Sequence, residues 1–223
     1  MAAAFGPPSR SSKANATSSY RLLSTDRSKK STAITKTKTV EDVIDPVEQR
    51  INQINMHLLS GKAPRHVIPA EPTLVFQRFL FLGGLKSLND KDYLTRLNIT
   101  HIISVVWIQP RAACITSTMK HLFIKADDCT SFDMSPYFEQ TCQFIDEARQ
   151  AGGRVLVHCA CGVSRSSTIC CAYLIRHHSM SVEEALIHLR SRRHIIRPNA
   201  AFLRQLIQYS ELIDTYKRRI DEN

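Results

Sequence analysis

Short apolar segments rich in β-branched and aromatic residues alternate with longer amphipathic segments over the last two thirds of the chain. Apolar runs of four to eight residues are typical of buried strands, and the longer segments have the periodicity of helices. This alternation predicts an α/β fold with a central, mostly parallel sheet flanked by helices on both faces. A helix or an irregular loop is expected between the second and third strands. The predicted strands are residues 78–84, 101–106, 121–125 and 154–157, and the predicted helices are residues 89–97, 135–152, 165–177, 181–192 and 199–219.

Composition divides the chain into four segments. Residues 1–39 hold eight Lys or Arg residues and fourteen Ser or Thr residues but a single acid, Asp26. Such a segment has too little apolar surface to offset the entropy of ordering, so it is predicted to be a disordered basic tail. Residues 40–70 are predicted to form an amphipathic helix and linker, residues 71–219 the α/β domain, and residues 220–223 a C-terminal tail.

The helix predicted before the α/β domain has recognisable ends. Apolar residues recur at helical spacing from Val47 to Leu59, Asp45 and Pro46 suit the N-cap and the first turn, and Gly61 suits the stop. This helix packs either on its own domain or on a partner protein. Packing on its own domain is the favoured interpretation.

The cysteine content and the charge of the chain indicate where in the cell the protein acts and which partners it binds. Seven cysteines without regular spacing, and no apolar segment after Met1, argue against a secreted disulfide-rich protein. We therefore expect a cytoplasmic protein, with the nucleus as a second location; the tail's composition leaves mitochondrial import open as an alternative. No segment approaches the ~18 apolar residues of a membrane span. The net charge of +10 lies mostly in the tail, so it does not indicate nucleic-acid binding by the domain.

The most informative segment runs from His158 to Ser166, where a predicted strand passes through a loop into a helix. Consecutive backbone amides there can surround one point at the positive end of the helix, which is an arrangement suited to phosphate. Gly162 allows the loop to turn tightly. The predicted phosphate-binding residues are Ala160, Cys161, Gly162, Val163, Ser164 and Arg165.

Cys159 lies at the base of this predicted cradle, which indicates catalysis as well as binding. The thiolate is the nucleophilic form of cysteine, and the amides, the helix end and Arg165 would stabilise its charge. Arg165 can fold back over the loop and hold two phosphate oxygens as a fork. His158, Cys159 and Cys161 have no second cluster at zinc-like spacing, so neither a metal nor another cofactor is expected.

The string from His158 to Ser166 resembles the motif of dual-specificity phosphatases, within the superfamily of cysteine-based protein tyrosine phosphatases. Ala172-Tyr-Leu-Ile175 and Arg197-Pro-Asn199 resemble further segments of that family, and the likeness extends from about Glu71 to Tyr216. The absence of an upstream kinase-targeting domain suggests the small, atypical group. Cys161 departs from the family pattern, which usually has a small residue there.

The resemblance implies a protein phosphatase with a phosphocysteine intermediate. It implies that Asp128 protonates the leaving oxygen, with Asp127 as reserve and Asp133 as a third candidate. Ser166 would donate a hydrogen bond to the departing sulfur, and His158 would orient the cradle in a supporting role. The implied partners are phosphorylated proteins, with mitogen-activated protein kinases as candidates.

Several questions stay open at this point. A phosphatase of lipids or RNA ends on the same fold, and a non-catalytic phosphoprotein binder, are the alternative functions. The side chains of the loop favour neither a lipid nor an RNA end, since it contains no lysine, histidine or asparagine between Cys159 and Arg165. Cys161 and Cys129 are candidate redox partners of Cys159. The basic residues Arg190, Arg192, Arg193 and Arg197 either add positive potential near the phosphate or form a solvated helix end. The sequence does not determine the oligomeric state.

Overall fold

The computed structural model describes residues 45–59, 67–111 and 115–222. At residue 59 only the backbone is described. The predicted tail, residues 1–39, and most of the predicted linker lie outside these residues. Two short 3₁₀ helices precede α2 and α3. The strands are β1 Thr73–Phe76, β2 Leu80–Gly83, β3 His101–Val106, β4 Lys120–Lys125 and β5 Val155–His158. The helices are α1 Pro46–Leu59, α2 Lys91–Arg96, α3 Phe138–Gln150, α4 Arg165–His178, α5 Val182–Arg192 and α6 Ala200–Asp221.

The five strands form one sheet in the order β1-β2-β5-β3-β4. Strands β2, β5, β3 and β4 are parallel, which confirms the predicted mostly parallel sheet. Strand β1 was not predicted; it pairs antiparallel with β2 and has only four residues, two of them partly buried. The pairing places β5 at the centre of the sheet, so its C-terminal end is surrounded by neighbouring strands.

Apolar clusters cover both faces of the sheet, as expected. The larger cluster joins one face to α1, α3, α4, α5 and α6. The smaller cluster lies under α2 and consists of Phe81, Leu88, Leu94, Ile99, Ile102 and Leu156. Strand β5 contributes to both clusters because its side chains alternate between the faces.

Helix α1 packs on its own domain, which confirms the favoured interpretation. Its apolar stripe of Ile51, Ile54 and Leu58 is buried in the larger cluster. Arg50 donates to both carboxylate oxygens of Glu183 on α5, at 2.7 and 2.9 Å. Apolar burial supplies most of the attachment, because a partly exposed ion pair contributes only ~0–1 kcal/mol.

Helix ends largely follow the sequence signals. Ser181 and Glu184 form the predicted capping box of α5, and the Asn199 side chain caps α6.

Between β3 and β4 the described residues form bends and turns, so the predicted irregular loop, and not the alternative helix, is correct for them. Helix α6 continues to Asp221, two residues beyond its predicted end. Within the described part of the chain, no helix is long and apolar enough to cross a membrane.

Candidate active site

The site is built where β5 ends. Strand β5 finishes at His158, the loop of residues 159–164 follows, and α4 begins at Arg165. The C-terminal edge of a parallel sheet is where α/β proteins usually bind ligands, because loops and helix N-termini converge there. The predicted strand–loop–helix arrangement is therefore confirmed, and the loop lies at the positive end of α4.

The carbonyl groups of this loop are bonded to donors that do not belong to it. Because C=O and N–H point in opposite directions across a trans peptide, these bonds turn the following amides toward the inside of the loop. A cradle of amides is what an anion requires. The acceptors and donors are Cys159 O with His158 Nδ1 (3.3 Å), Ala160 O with Leu85 N (2.9 Å), Cys161 O with Arg193 Nη2 (3.3 Å), Gly162 O with Arg193 Nε (3.0 Å) and Val163 O with Arg197 N (2.8 Å).

The Cys159 sulfur lies inside this loop and accepts two hydrogen bonds. Gly162 N donates to Sγ at 3.2 Å, and Ser166 Oγ donates at 3.3 Å. Donors aimed at sulfur favour the thiolate over the thiol. The structure thus places the hydroxyl of Ser166 on the sulfur, where the family resemblance expected it.

The other cysteines that the structure describes lack this environment. Burial raises the pKa of the Cys142 thiol to about 12, and it also raises the pKa of Cys170 and Cys171, which pack inside α4. These three thiols are neutral packing groups at neutral pH. Cys161 is exposed, and Cys129 contacts Ser131 Oγ at 3.3 Å. Each described cysteine has a free thiol, so the redox hypothesis for Cys161 and Cys129 stays a prediction.

Arg165 lies over the loop as the first residue of α4. Its side chain is largely buried, and Nη1 donates to Ala126 O at 3.0 Å. Its Nε is buried without a hydrogen-bond partner among the described residues. Buried donors are nearly always hydrogen-bonded in folded proteins, so this N–H, whose nearest acidic contact is Asp128 Oδ2 at 3.6 Å, is able to donate to a bound oxyanion.

Asp128 is the predicted acid that reaches this site. It follows β4, and its Oδ1 accepts hydrogen bonds from Ser164 Oγ at 2.7 Å and from Asn199 Nδ2 at 3.0 Å. Its other oxygen, Oδ2, lies 3.6 Å from Arg165 Nε. One carboxylate oxygen is thus tied to the loop, and the other faces the arginine.

The two reserve acids have other local contacts. Asp127 is exposed, and its Oδ1 accepts from the backbone N–H of Asp128 at 2.8 Å. Asp133 Oδ1 accepts from Ser135 N at 3.0 Å, at the start of the short helix before α3. Asp128 is the member of this group that contacts both Ser164 and Arg165.

Arg193 is a site residue for which the sequence analysis left two alternatives open, positive potential near the phosphate or a solvated helix end. Its side chain is buried, and it donates to Gly162 O, Cys161 O and Thr73 Oγ1. Burial lowers the pKa of its guanidinium, and attraction to a Cys159 thiolate opposes that shift. Of the other basic residues of the run, Arg192 and Arg197 are exposed, as a solvated helix end would be, and Arg190 is partly buried and donates to Ile196 O at 3.0 Å. Nothing in the run of basic residues distinguishes Arg193, although its position just after α5 could have indicated a contact with the loop.

His158 and Asn199 complete the site. His158 is fully buried, and burial lowers its pKa to about 4, so its ring is neutral near pH 7. Asn199 has two contacts: Oδ1 caps α6 and Nδ2 holds Asp128. The cap was predictable from its position before a helix, whereas the contact with Asp128 was not.

Among the residues that the structure describes, no cluster of three metal-ligating side chains occurs.

Comparison with known proteins agrees with this geometry. Residues 80–212 match the family model described as "Dual specificity phosphatase, catalytic domain". The chain is 40% identical over 137 residues to dual specificity protein phosphatase 1B of Arabidopsis thaliana, covering 61% of this chain and 81% of the relative. It is 34% identical over 174 residues to human dual specificity protein phosphatase 1, covering 77% of this chain but 44% of that relative.

Solved structures show the same fold. The crystal structure of human DUSP28 superposes with a TM-score of 0.62 at 31% identity, covering 66% of this chain and 97% of that one. The human tyrosine phosphatase-like serine/threonine/tyrosine-interacting protein superposes with a TM-score of 0.61 at 30% identity, covering 65% of this chain and 98% of that one. The family match covers more than half of the chain and includes the loop around Cys159. The chain therefore belongs to the dual specificity protein phosphatases, which are cysteine-dependent members of the protein tyrosine phosphatase superfamily.

Proposed function

We propose that this protein hydrolyses phosphotyrosine and phosphoserine or phosphothreonine in proteins, with Cys159 as nucleophile and Arg165 as phosphate clamp. The observation that carries the proposal is the convergence on one loop of two donors to the Cys159 sulfur, the Arg165 guanidinium and the Asp128 carboxyl group. A nucleophile, an oxyanion clamp and an acid around one loop are the parts that phosphoryl transfer requires.

The reaction has two steps. In the first, the thiolate of Cys159 attacks phosphorus while the amide cradle and Arg165 hold the equatorial oxygens, and the bond to the substrate oxygen breaks. The proton of Asp128 goes to that leaving oxygen. In the second, water attacks the phosphocysteine, the Asp128 carboxylate takes its proton, and sulfur leaves as a thiolate that Ser166 stabilises through its hydroxyl. Inorganic phosphate is the product.

The charge inside the cradle favours a substrate with a single phosphate group. The loop's variable positions carry the small or neutral side chains of Ala160, Cys161, Val163 and Ser164. Arg193, although close, is buried, and its guanidinium bonds the loop's carbonyl groups. The charge available to a substrate inside the loop is thus chiefly that of Arg165, which suits one phosphate better than the several of a phosphoinositide or an RNA triphosphate end.

The second candidate function is non-catalytic phosphoprotein binding. It is favoured by the likeness to the human tyrosine phosphatase-like interacting protein. It is opposed by the presence of Cys159, Arg165 and Asp128 together in this chain, because a binder needs only the cradle.

Turnover separates these functions. We expect the purified chain to hydrolyse an aryl phosphate and peptides containing either phosphotyrosine or phosphothreonine. Cys159→Ser should abolish turnover yet retain phosphate binding, because the amides and Arg165 remain while the nucleophilic sulfur is removed. An inactive parent chain that binds phosphopeptides would support the binder, and activity retained by Cys159→Ser would refute the assigned nucleophile.

The cellular partners belong to the same proposal. We propose that phosphorylated kinases of the mitogen-activated group are among the substrates, in signalling in the cytoplasm and nucleus, and that neither nucleic acid nor a membrane is a partner. Phosphoproteins captured by the Cys159→Ser chain in cell extract, identified by mass spectrometry, test the substrates. Imaging of the tagged full chain tests the location, and mitochondrial accumulation would contradict it.

A further inference from the structure

A chain of three polar side chains crosses the sheet beneath the candidate active site. Ser104 on β3 is the register partner of His158 on β5, and its Oγ lies 2.6 Å from His158 Nε2. On the other side, Ser104 Oγ lies 2.8 Å from Nε2 of His121 on β4. His158 Nδ1 lies 3.3 Å from the carbonyl oxygen of Cys159. Adjacent strands thus connect a half-buried histidine at the sheet edge to the backbone of the nucleophile.

Both imidazole rings in this chain are neutral near pH 7. Burial is the main cause that lowers the pKa of His158 to about 4, against an opposing contribution from its hydrogen bond to the Cys159 backbone. Burial also lowers the pKa of His121 from its ordinary value. A neutral imidazole has one N–H donor and one acceptor nitrogen, so each ring must adopt one of two tautomers.

The contacts select one direction for the hydrogen bonds. The Cys159 carbonyl can only accept, so His158 must hold its proton on Nδ1, and its Nε2 must accept. Ser104 has one hydroxyl proton, which therefore goes to His158 Nε2. The Ser104 oxygen then accepts the Nε2–H of His121. The opposite direction would place the unprotonated Nδ1 of His158 against the lone pairs of the Cys159 carbonyl oxygen. That arrangement loses a hydrogen bond and adds electrostatic repulsion, so it is less stable.

We propose that Ser104 and His121 are positioning residues of the phosphatase reaction, which hold His158 in the tautomer that donates to the Cys159 carbonyl and so hold the Ala160 amide in the phosphate cradle. This inference rests on the proposed function, because the cradle is the one used there to bind phosphate. The link to the cradle is the planar peptide between Cys159 and Ala160. Fixing its carbonyl on the His158 side fixes its N–H on the other.

Three substitutions separate the links of the chain. Ser104→Ala removes the donor to His158. His121→Leu leaves the Ser104 hydroxyl in place but frees it to turn away. His121→Gln keeps an amide N–H close to the position of Nε2 and is the conservative rescue. Ser87→Ala is the matched control, because Ser87 is also buried and loses a single hydrogen bond, to Ala70 O at 3.0 Å, outside the chain to His158.

The decisive measurement is the tautomer of His158, read from its ring ¹⁵N chemical shifts. The parent protein should show Nδ1–H alone. Ser104→Ala should show a substantial Nε2–H population, and His121→Leu a smaller one. His121→Gln and Ser87→Ala should match the parent. A role in stability alone would lower the unfolding midpoint in Ser104→Ala and Ser87→Ala alike and leave the tautomer unchanged.

Phosphate affinity, Cys159 reactivity and turnover should decrease as the Nδ1–H tautomer of His158 is lost. One neutral hydrogen bond corresponds to a change of roughly two- to tenfold. We expect Ser104→Ala to weaken the affinity for inorganic phosphate, to slow alkylation of Cys159 by iodoacetamide at pH 6 and to lower kcat/KM for an aryl phosphate, each within that range. His121→Leu should have a smaller effect, and His121→Gln should restore the parent values.

The ring spectra, phosphate affinity and alkylation do not depend on turnover. A parent chain without phosphatase activity would therefore refute the proposed function and leave this inference testable. Retention of the Nδ1–H tautomer and of phosphate affinity in Ser104→Ala would overturn the inference. A His121→Gln protein that behaves like His121→Leu would remove His121 from the chain of positioning residues.

Discussion

Replacing Asp128 by asparagine isolates the proton transfer from the structure around it. Both hydrogen bonds to this side chain, from Ser164 and Asn199, end on Oδ1. An asparagine can keep its oxygen in that position and place its NH₂ group where Oδ2 lies. The transferable proton belongs on Oδ2, the oxygen that faces Arg165 at 3.6 Å. Asp128→Asn should therefore fold and bind phosphate normally but be unable to protonate the leaving group.

The size of the effect depends on the leaving oxygen. General acid catalysis typically contributes ~10²–10⁴-fold, so kcat for a phosphopeptide or a phenyl phosphate should fall by about that factor. The change corresponds to about 2.7–5.4 kcal/mol in the activation free energy. A nitrophenyl phosphate, whose leaving oxygen needs little protonation, should lose much less. The fall of kcat at high pH should also flatten, because the variant has no acid proton to lose.

Asp127→Asn is the control, since its Oδ1 accepts one backbone hydrogen bond that asparagine preserves. Steady-state kinetics of Asp127→Asn should match the parent for both substrate types. The reverse ranking of the two variants would assign the acid to Asp127. Equal small effects would refute both assignments and direct attention to Asp133.

Three further outcomes are expected. Arg165→Lys should lower kcat/KM by about 10³-fold, because a point charge cannot reproduce the two-pronged grip; activity close to the parent's would contradict the clamp. Gly162 has φ of +67°, and a Cβ there would meet the Gly83 carbonyl oxygen at 2.6 Å. Gly162→Ala should thus destabilise the fold by about 1 kcal/mol or more in urea unfolding and lower phosphate affinity, and unchanged values would show that the loop can yield. Burial lowers the pKa of His158 from 6.5 to about 4. The unfolded chain therefore binds more protons between these values, and stability falls as pH decreases through that window, by roughly 2 kcal/mol from this residue at pH 5. His158→Asn should show a correspondingly smaller stability difference between pH 7 and pH 5, and an unchanged difference would refute the assignment.

The parts of the fold that sequence predicted best are those with local signals. Strand β5, the loop and α4 are found within one residue of their predicted bounds, because an apolar run, an amide-rich loop and a helix start follow one another directly. Strand β1, Thr73–Phe76, was missed although its residues suit a strand, because nothing local shows its irregular antiparallel pairing with β2. Its place in the sheet depends on that neighbouring strand.

The residues of the candidate site also fall into those that local sequence identified and those that it did not. Cys159, Arg165 and Ser166 are held by one local segment, so a motif could identify them. Arg193 contacts the loop across 31 residues, and Asn199 contacts Asp128 across 71. Such contacts depend on how α5 and α6 return to the sheet edge. No periodicity or composition near Arg193 distinguishes it from the exposed arginines beside it.

The outward hydrogen bonds of the loop have a consequence for biosynthesis. The donors to Cys161 O, Gly162 O and Val163 O are Arg193 and Arg197, which the ribosome adds well after the nucleophile. A nascent chain that ends before Arg193 already contains Cys159 and Arg165 but has nothing to turn those carbonyl groups away from the phosphate. A domain generally folds as a unit during synthesis. The hydrogen bonds that complete the anion site around Cys159 therefore form only after Arg193 and Arg197 have been added to the chain.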